Sequence, residues 1–395
     1  MEEWKQYRLG DIISISSGLA YKGEHLGKGD SFLLGMGCVS YTEQFLEKGM
    51  RKYDGAYDER YSLKAGDIVL ATRQQSDNLP ILGMPAIIPQ KFHNQKMVFG
   101  TNLYKVNLNS PDFSNSFLYW LLKTPNYIHH IKSCQTGTTV RMITKANIED
   151  YTFFCPEKSE REKICKFLWN IENKIALNRR INDNLEQQAQ ALFAEVFESD
   201  HTFTQLGAVI ETCSGGTPSR NNLDYYIDGT ICWVKSKELN RSFLFDTEEK
   251  IAQVGIDRSS AKLLPKNSVL IAMYGATVGE YCIIDKPMTC NQAICALLPS
   301  SDYPASYLYM FIKQKRNELI NLAVGSAQQN ISQVLIKGLS VSANLKLIAK
   351  FDKMVMPIFN MIRKNVKESI ILEAERNTLL PRLMSGELKI NDLNC

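Results

Sequence analysis

The sequence predicts an α+β chain in which two mixed α/β domains are separated by two long helices forming an antiparallel coiled coil, arranged as a pseudo two-fold internal repeat. Three observations carry this. Blocks of the first half recur in order in the second, Leu9-Gly10 and Ser17-Gly18 reappearing as Leu206-Gly207 and Ser214-Gly215. Short stretches rich in β-branched and apolar residues, punctuated by Gly, Pro and Asn, fill the opening of each half. Each half then closes on residues that advance in steps of four and three, the spacing of a coiled-coil seam.

The repeat sets the boundaries. After the Leu-Gly and Ser-Gly pairs, Leu63-Lys-Ala-Gly-Asp-Ile-Val-Leu70 matches Leu264-Pro-Lys-Asn-Ser-Val-Leu-Ile271. Further on, Gly137-Thr-Thr-Val-Arg-Met-Ile143 with Ile148 matches Gly325-Ser-Ala-Gln-Gln-Asn-Ile331 with Ile336. Residues 1–155 are thus the first domain, 156–200 the first long helix, 201–343 the second domain, and 344–395 the second long helix with a C-terminal tail. Within the domains, strands are expected at 12–16, 67–71, 86–88 and 104–106, and helices at 113–122 and 307–322, where apolar residues recur at helical spacing.

The first seam runs Ile164, Leu168, Ile171, Ile175, Asn178, Asn182, Leu185, Ala189, Leu192, Val196, and the second Phe351, Val355, Ile358, Ile362, Asn365, Ser369, Leu372, Arg376, Leu379, Leu383. Both turn polar at the same two central positions, as two unrelated amphipathic helices would not. Helix two buries its seam most simply by running back along helix one. A two-fold through the seam centres then faces Asn178 to Ser369 and Asn182 to Asn365, brings Leu168 towards Leu379, and leaves the domains at opposite ends with the C-terminus near the first. A buried polar layer of this kind fixes register at some cost in stability. Pro357 predicts a bend or the effective start of the second helix, and Pro381 an end before Leu383, because an interior proline costs about 3 kcal/mol.

Composition narrows the function. With 44% hydrophobic residues the chain builds sizeable cores, and no run approaches the ~18 apolar residues of a membrane span. The opening Met1-Glu2-Glu3-Trp4 lacks the basic and apolar regions of a secretory signal, so a soluble, cytoplasmic protein is expected. Ten cysteines without a Cys-x-x-Cys pair read as buried free thiols. Net charge is only +4, spread as +2, −2, +1 and +3 over the four segments, so any DNA contact must come from clustering in the fold.

No catalytic or metal constellation is present in the sequence. There is no phosphate loop of the G-x-x-x-x-G-K-[ST] type, Gly35-Met-Gly37 lacks a third glycine, and there is no Pro-Pro for an amino-methyltransferase loop. The five histidines show no ligand pairing. Asp228 with Glu248-Glu-Lys250 only faintly resembles a nuclease motif. What remains is loop chemistry suited to DNA: phosphates are held by hydroxyls and by amides at glycine turns, and base edges are read by Arg, Lys, Gln and Asn. The candidates are Lys22, Arg73 and Arg141 in the first domain, and Ser214, Thr217, Arg220, Lys235, Lys237, Tyr274, Gln328, Gln329 and Asn330 in the second.

The whole pattern resembles the specificity (S) subunits of type I restriction-modification systems. The resemblance rests on Trp4-Lys-Gln-Tyr-Arg-Leu-Gly-Asp-Ile12, Gln205-Leu-Gly with Ser214-Gly-Gly-Thr-Pro-Ser219, Gly325-Ser-Ala-Gln-Gln-Asn-Ile-Ser332, and Glu375-Arg-Asn-Thr-Leu-Leu-Pro-Arg-Leu-Met-Ser-Gly-Glu-Leu388. It implies two target-recognition domains on double-stranded DNA and spacer helices that dock methyltransferase subunits, with restriction subunits reached indirectly. It also implies a non-catalytic chain, with S-adenosylmethionine, ATP and Mg belonging to those partners. The first half departs from the fuller motif, having Ser17-Gly-Leu-Ala-Tyr21 for Gly-Gly-Thr-Pro-Ser and Val140-Arg-Met142 for Gln328-Gln-Asn330. A coiled-coil scaffold that binds protein is the alternative.

Overall fold

The computed structural model describes residues 4–75, 80–323 and 330–392, in two units: Met1–Glu172 with Glu373–Cys395, and Asn173–Leu372. In the first unit the strands are β1 (Lys5–Arg8), β2 (Ile13–Ser17), β3 (Leu26–Leu34), β4 (Met50–Tyr53), β5 (Ser62–Leu63), β6 (Ile68–Ala71), β7 (Arg73–Gln74), β8 (Pro85–Ile87), β9 (Met97–Phe99), β10 (Leu103–Leu108), β11 (Arg141–Met142) and β12 (Thr152–Cys155). Helices α1 (Asn115–Leu121), α2 (Pro125–Cys134) and α3 (Lys145–Glu149) lie between the last strands, and α4 (Lys158–Phe197) follows. The second unit repeats the plan with β13 (Phe203–Gln205), α5 (Leu206–Val209), β14 (Thr212–Ser214), β15 (Ile231–Val234), β16 (Phe243–Leu244), β17 (Lys250–Ile251), α6 (Gln253–Asp257), β18 (Val269–Ala272), β19 (Tyr281–Ile284), β20 (Thr289–Cys290), β21 (Ile294–Leu297), α7 (Ala305–Asn321), α8 (Gln333–Lys337), β22 (Ser340–Ser342) and α9 (Leu345–Ser385).

The duplication shows in the sheets. β2-β10-β6-β8 in the first unit corresponds to β14-β21-β18-β19 in the second, and β4-β3-β9 to β17-β15-β20. The β3–β9 and β15–β20 pairs are both parallel, in otherwise largely antiparallel sheets. Ribbons β1–β12 and β13–β22 close each domain where its long helix departs. Individual hydrogen bonds repeat as well. Leu9 N–H donates to Tyr151 O at 2.7 Å as Leu206 N–H does to Leu339 O at 2.8 Å. Gly100 N–H donates to Leu34 O at 3.0 Å as Asn291 N–H does to Val234 O at 2.9 Å.

In the second unit α4 and α9 run antiparallel, since Asn178 Nδ2 reaches Ser369 Oγ at 3.3 Å while Asn365 Nδ2 donates to Asn182 Oδ1 at 2.9 Å. These are the two pairs that the two-fold register requires. In the first unit the end of α9 packs on the start of α4, with Ile164, Leu168, Leu380, Leu383 and Met384 in one apolar cluster and Leu379 against its side. Gly386, at the end of α9, meets the Trp4 ring, where a Cβ would lie 2.8 Å from it, so the C-terminal segment rests on the first domain.

Of the seam positions, Ile164, Leu168, Ile171, Ile175, Asn178, Val355, Ile362, Ser369 and Leu383 are buried, while Asn182, Leu185, Leu192, Ile358, Asn365, Leu372 and Leu379 are half-buried. A second buried stripe, Phe193, Phe359 and Val366, joins the core of the second unit, Phe193 stacking on Tyr307 and Phe359 meeting Tyr309 edge to face. Each helix therefore presents a wider apolar arc than a strict two-helix seam needs.

Two expectations about α9 are corrected. Pro357 does not start the helix and Pro381 does not end it, since α9 passes through both to Ser385. Pro357 is exposed and Pro381 half-buried, and the buried residues flanking each proline hold the adjacent turns.

Candidate nucleic-acid interface

In both units the strand next to the sheet centre runs out into a short segment paired with the loop that precedes a small helix. In the first unit β6 continues into β7, which pairs antiparallel with β11, setting Arg73 opposite Met142 and Gln74 opposite Arg141. In the second unit β18 continues to Tyr274, which bridges antiparallel to Asn330. Two hydrogen bonds hold each arrangement. Thr72 N–H donates to Asn102 O at 3.1 Å and Ile143 N–H to Thr72 O at 3.2 Å; Met273 N–H donates to Ala293 O at 2.8 Å and Ile331 N–H to Met273 O at 2.9 Å. Thr72, Ile143, Met273 and Ile331 are buried, so the backbone is anchored in both cores. Arg73 and Asn330 are exposed, and Arg141 and Tyr274 are half-buried. Burial raises the Tyr104 hydroxyl pKa, which the nearby Arg73 guanidinium partly counters.

The structure thus joins Arg73 with Arg141, and Tyr274 with Asn330, at one topological point. Gln328 and Gln329 lie outside the described residues. Lys22 pairs with Glu24 on its own loop at 3.8 Å.

The loop after β14 is held from beneath. Trp233 Nε1–H donates to Gly216 O at 3.0 Å and Tyr226 OH to Pro218 O at 2.6 Å. Ser214 Oγ donates to Gln333 Oε1 at 2.9 Å, and Thr217 Oγ1 to Gln292 Oε1. A Cβ on Gly215 would fall 2.1 Å from Asn291 O, and one on Gly18 the same distance from Gly100 O, so glycine is required where each loop crosses the parallel strand pair. The shorter motif of the first half therefore keeps the crossing: Leu19 N–H donates to Phe99 O at 2.8 Å as Gly216 N–H does to Cys290 O at 2.9 Å.

The cations of this loop are not bare. Arg220 lies over the rings of Tyr226 and Trp233, at 4.5 and 5.2 Å, and pairs with Glu249 at 2.5 Å; Lys235 shares that carboxylate. Burial alone would raise the Glu249 carboxyl, but hydrogen bonds from Lys235 and Arg220 outweigh it and hold it below the usual range. Lys237 pairs with Glu248 at 2.6 Å, which raises its ammonium. The charge run Glu248-Glu-Lys250 is accounted for in this way, as the acidic partner of three basic side chains. Sequence reasoning missed Tyr226 altogether, and it noted Glu249 within its charge run and Trp233 beside Lys235 and Lys237 without their role as partners of Arg220. Among the described residues no cluster of His, Cys, Asp and Glu could hold a metal, and no helix is long and apolar enough to cross a membrane.

The family model for the type I restriction modification DNA specificity domain matches residues 1–187 and 198–342. The chain belongs to this family. Both halves of this specificity chain are covered by the match, consistent with two copies of one DNA-recognising domain. Similar proteins include the type I restriction enzyme HindI specificity subunit of Haemophilus influenzae, 24% identical over 98% of this chain and all of that one. The MjaIX specificity subunit of Methanocaldococcus jannaschii is 20% identical over 99% of this chain and 95% of its own. Among solved structures, the S subunit of a type I restriction-modification system from M. genitalium has a similar fold, with a TM-score of 0.53 at 15% identity over 97% of this chain and 96% of that one.

Proposed function

We propose that this specificity chain is the non-catalytic reader of a type I restriction-modification complex and recognises double-stranded DNA as two short half-sites separated by unread base pairs. The observation that carries this is a backbone frame present twice with different side chains, Arg73 and Met142 in one copy against Tyr274 and Asn330 in the other. One frame presented twice suits a bipartite site, and different side chains on it suit unlike halves, hence a non-palindromic sequence. A seam of ~33 residues at ~1.5 Å each spans roughly 50 Å, about 14 base pairs at ~3.4 Å, a helix length that suits a gap of unread base pairs between the half-sites.

The long helices dock methyltransferase subunits, and restriction subunits join through them. S-adenosylmethionine, ATP and Mg belong to those partners, and the assembly works in the cytoplasm. A protein-binding scaffold would need the helices but not the duplicated loop frame. The test is to exchange residues 201–343 for another recognition domain and map methylated sites genome-wide: one half-site changes and the other persists. A single continuous or palindromic site would overturn the reading.

A further inference from the structure

The loops of the two domains differ in length and in most side chains, yet at one point the backbone is the same in both. The residue one place beyond Thr72 or Met273, which follow the sheet strand, is bridged to the residue one place before Ile143 or Ile331. Flanking residues on both sides of the bridge are buried, and their hydrogen bonds recur in each domain. Two side chains are thereby set side by side on a rigid platform, where ordering them on binding loses little entropy. The platform carries Arg73 beside Met142 in the first domain and Tyr274 beside Asn330 in the second.

The loop cations Arg220, Lys235 and Lys237 differ from these in being paired with Glu249 or Glu248, an arrangement suited to holding a loop. Arg73 is exposed, and among the described residues no hydrogen bond or ion pair engages its guanidinium. An arginine fork matches the N7 and O6 acceptors of guanine, while an asparagine amide matches the N6 donor and N7 acceptor of adenine.

We propose that this platform is the specificity-determining position of each domain, with Arg73 selecting a guanine in one half-site and Asn330 an adenine in the other. Tyr274, half-buried against the second core, supports the asparagine from the side. The inference rests on the DNA-reading function proposed above.

The experiment uses the full chain assembled with its methyltransferase subunits, and compares methylation rates on duplexes carrying single base changes in the mapped site. Wild-type discrimination at a bipartite site tests the function itself; its absence overturns both readings. Given that discrimination, Arg73→Lys keeps the charge but not the fork, so it lowers the preference for one guanine roughly 10- to 100-fold and leaves the other half-site and the salt dependence of binding unchanged. Asn330→Arg lowers the preference for an adenine in the opposite half-site by a similar factor. Unchanged preferences in both variants, effects in the same half-site, or a uniform loss of affinity on all sequences would each overturn the assignment while leaving the function intact. A thermal midpoint equal to wild type shows that neither change acts through folding.

Discussion

Glu172 on α4 and Arg376 on α9 form an ion pair in the first unit, with side chains only 6% and 9% exposed. The seam repeat, offset by 187 residues between the two helices, puts Phe359 and Ala189 at the corresponding places in the second unit, so the position that is charged in one unit is apolar in the other. Arg376→Met leaves a buried carboxylate without its partner, which typically costs about 3–5 kcal/mol. Lys123 lies near enough to feel both charges, so the low end of that range is expected. Replacing both members, Glu172→Leu with Arg376→Met, removes the desolvation burden of two ions and should restore or exceed wild-type stability. Tryptophan emission reports this unit well, because Trp169 stacks on Tyr119 and Trp120 meets it edge to face beside the pair, and a Trp233→Phe background removes the tryptophan of the second unit. In urea, about 3 kcal/mol against a slope of ~2 kcal/mol per molar moves the midpoint down by about 1.5 M for the single variant. A shift under ~0.3 M, or a double variant no better than the single, would refute the reasoning.

Two further outcomes follow from the geometry. Gly215→Ala should lower the thermal midpoint of its unit by about 4–8 °C, the equivalent of ~2 kcal/mol of strain, while Gly23→Ala, whose Cβ would meet nothing within 4 Å, should leave the midpoint unchanged; calorimetry distinguishes them. Burial lowers the Lys123 ammonium to about 8 from its ordinary 10.5, against the pull of Glu172. The unfolded chain then binds more protons than the folded one between these values, so this lysine costs stability below pH 8 and the cost fades as pH rises towards 10.5. Lys123→Met should accordingly gain on wild type most at pH 7 and least at pH 10 in urea titrations; a difference independent of pH would refute it.

How much was legible in the sequence depends on how local each determinant is. The seams were legible because helical periodicity is a local signal repeated over ten positions, and the matched polar steps at Asn178, Asn182, Asn365 and Ser369 gave the register as well as the partner. The passage of α9 through Pro357 and Pro381 was not, because the penalty is local whereas the burial that offsets it, at Val355, Phe359, Leu380 and Leu383, is tertiary. The second stripe of Phe193, Phe359 and Val366 was hidden for the same reason: a residue outside the seam does not declare which neighbour covers it.

The candidate interface divides along the same line. Gly18 and Gly215 stood out as repeat markers, and the strand pairs they cross give the physical cause. Arg73, Tyr274 and Asn330 were legible as polar loop residues, but their equivalence was not, since the repeat offset is 201 from Arg73 to Tyr274 and 188 from Met142 to Asn330, so each pair joins segments whose offsets differ. Only the bridge from β7 to β11, set beside the one from Tyr274 to Asn330, puts both offsets in one place. Basic residues were legible without their partners. Arg220, Lys235 and Lys237 were legible as DNA-contact candidates, but not as the partners of Glu248 and Glu249, which lie further along the chain and engage each of them. On the proposed reading, a DNA phosphate approaching this loop competes with Glu248 and Glu249 for its cations, and the selectivity is assigned instead to the exposed side chains on the bridged platform.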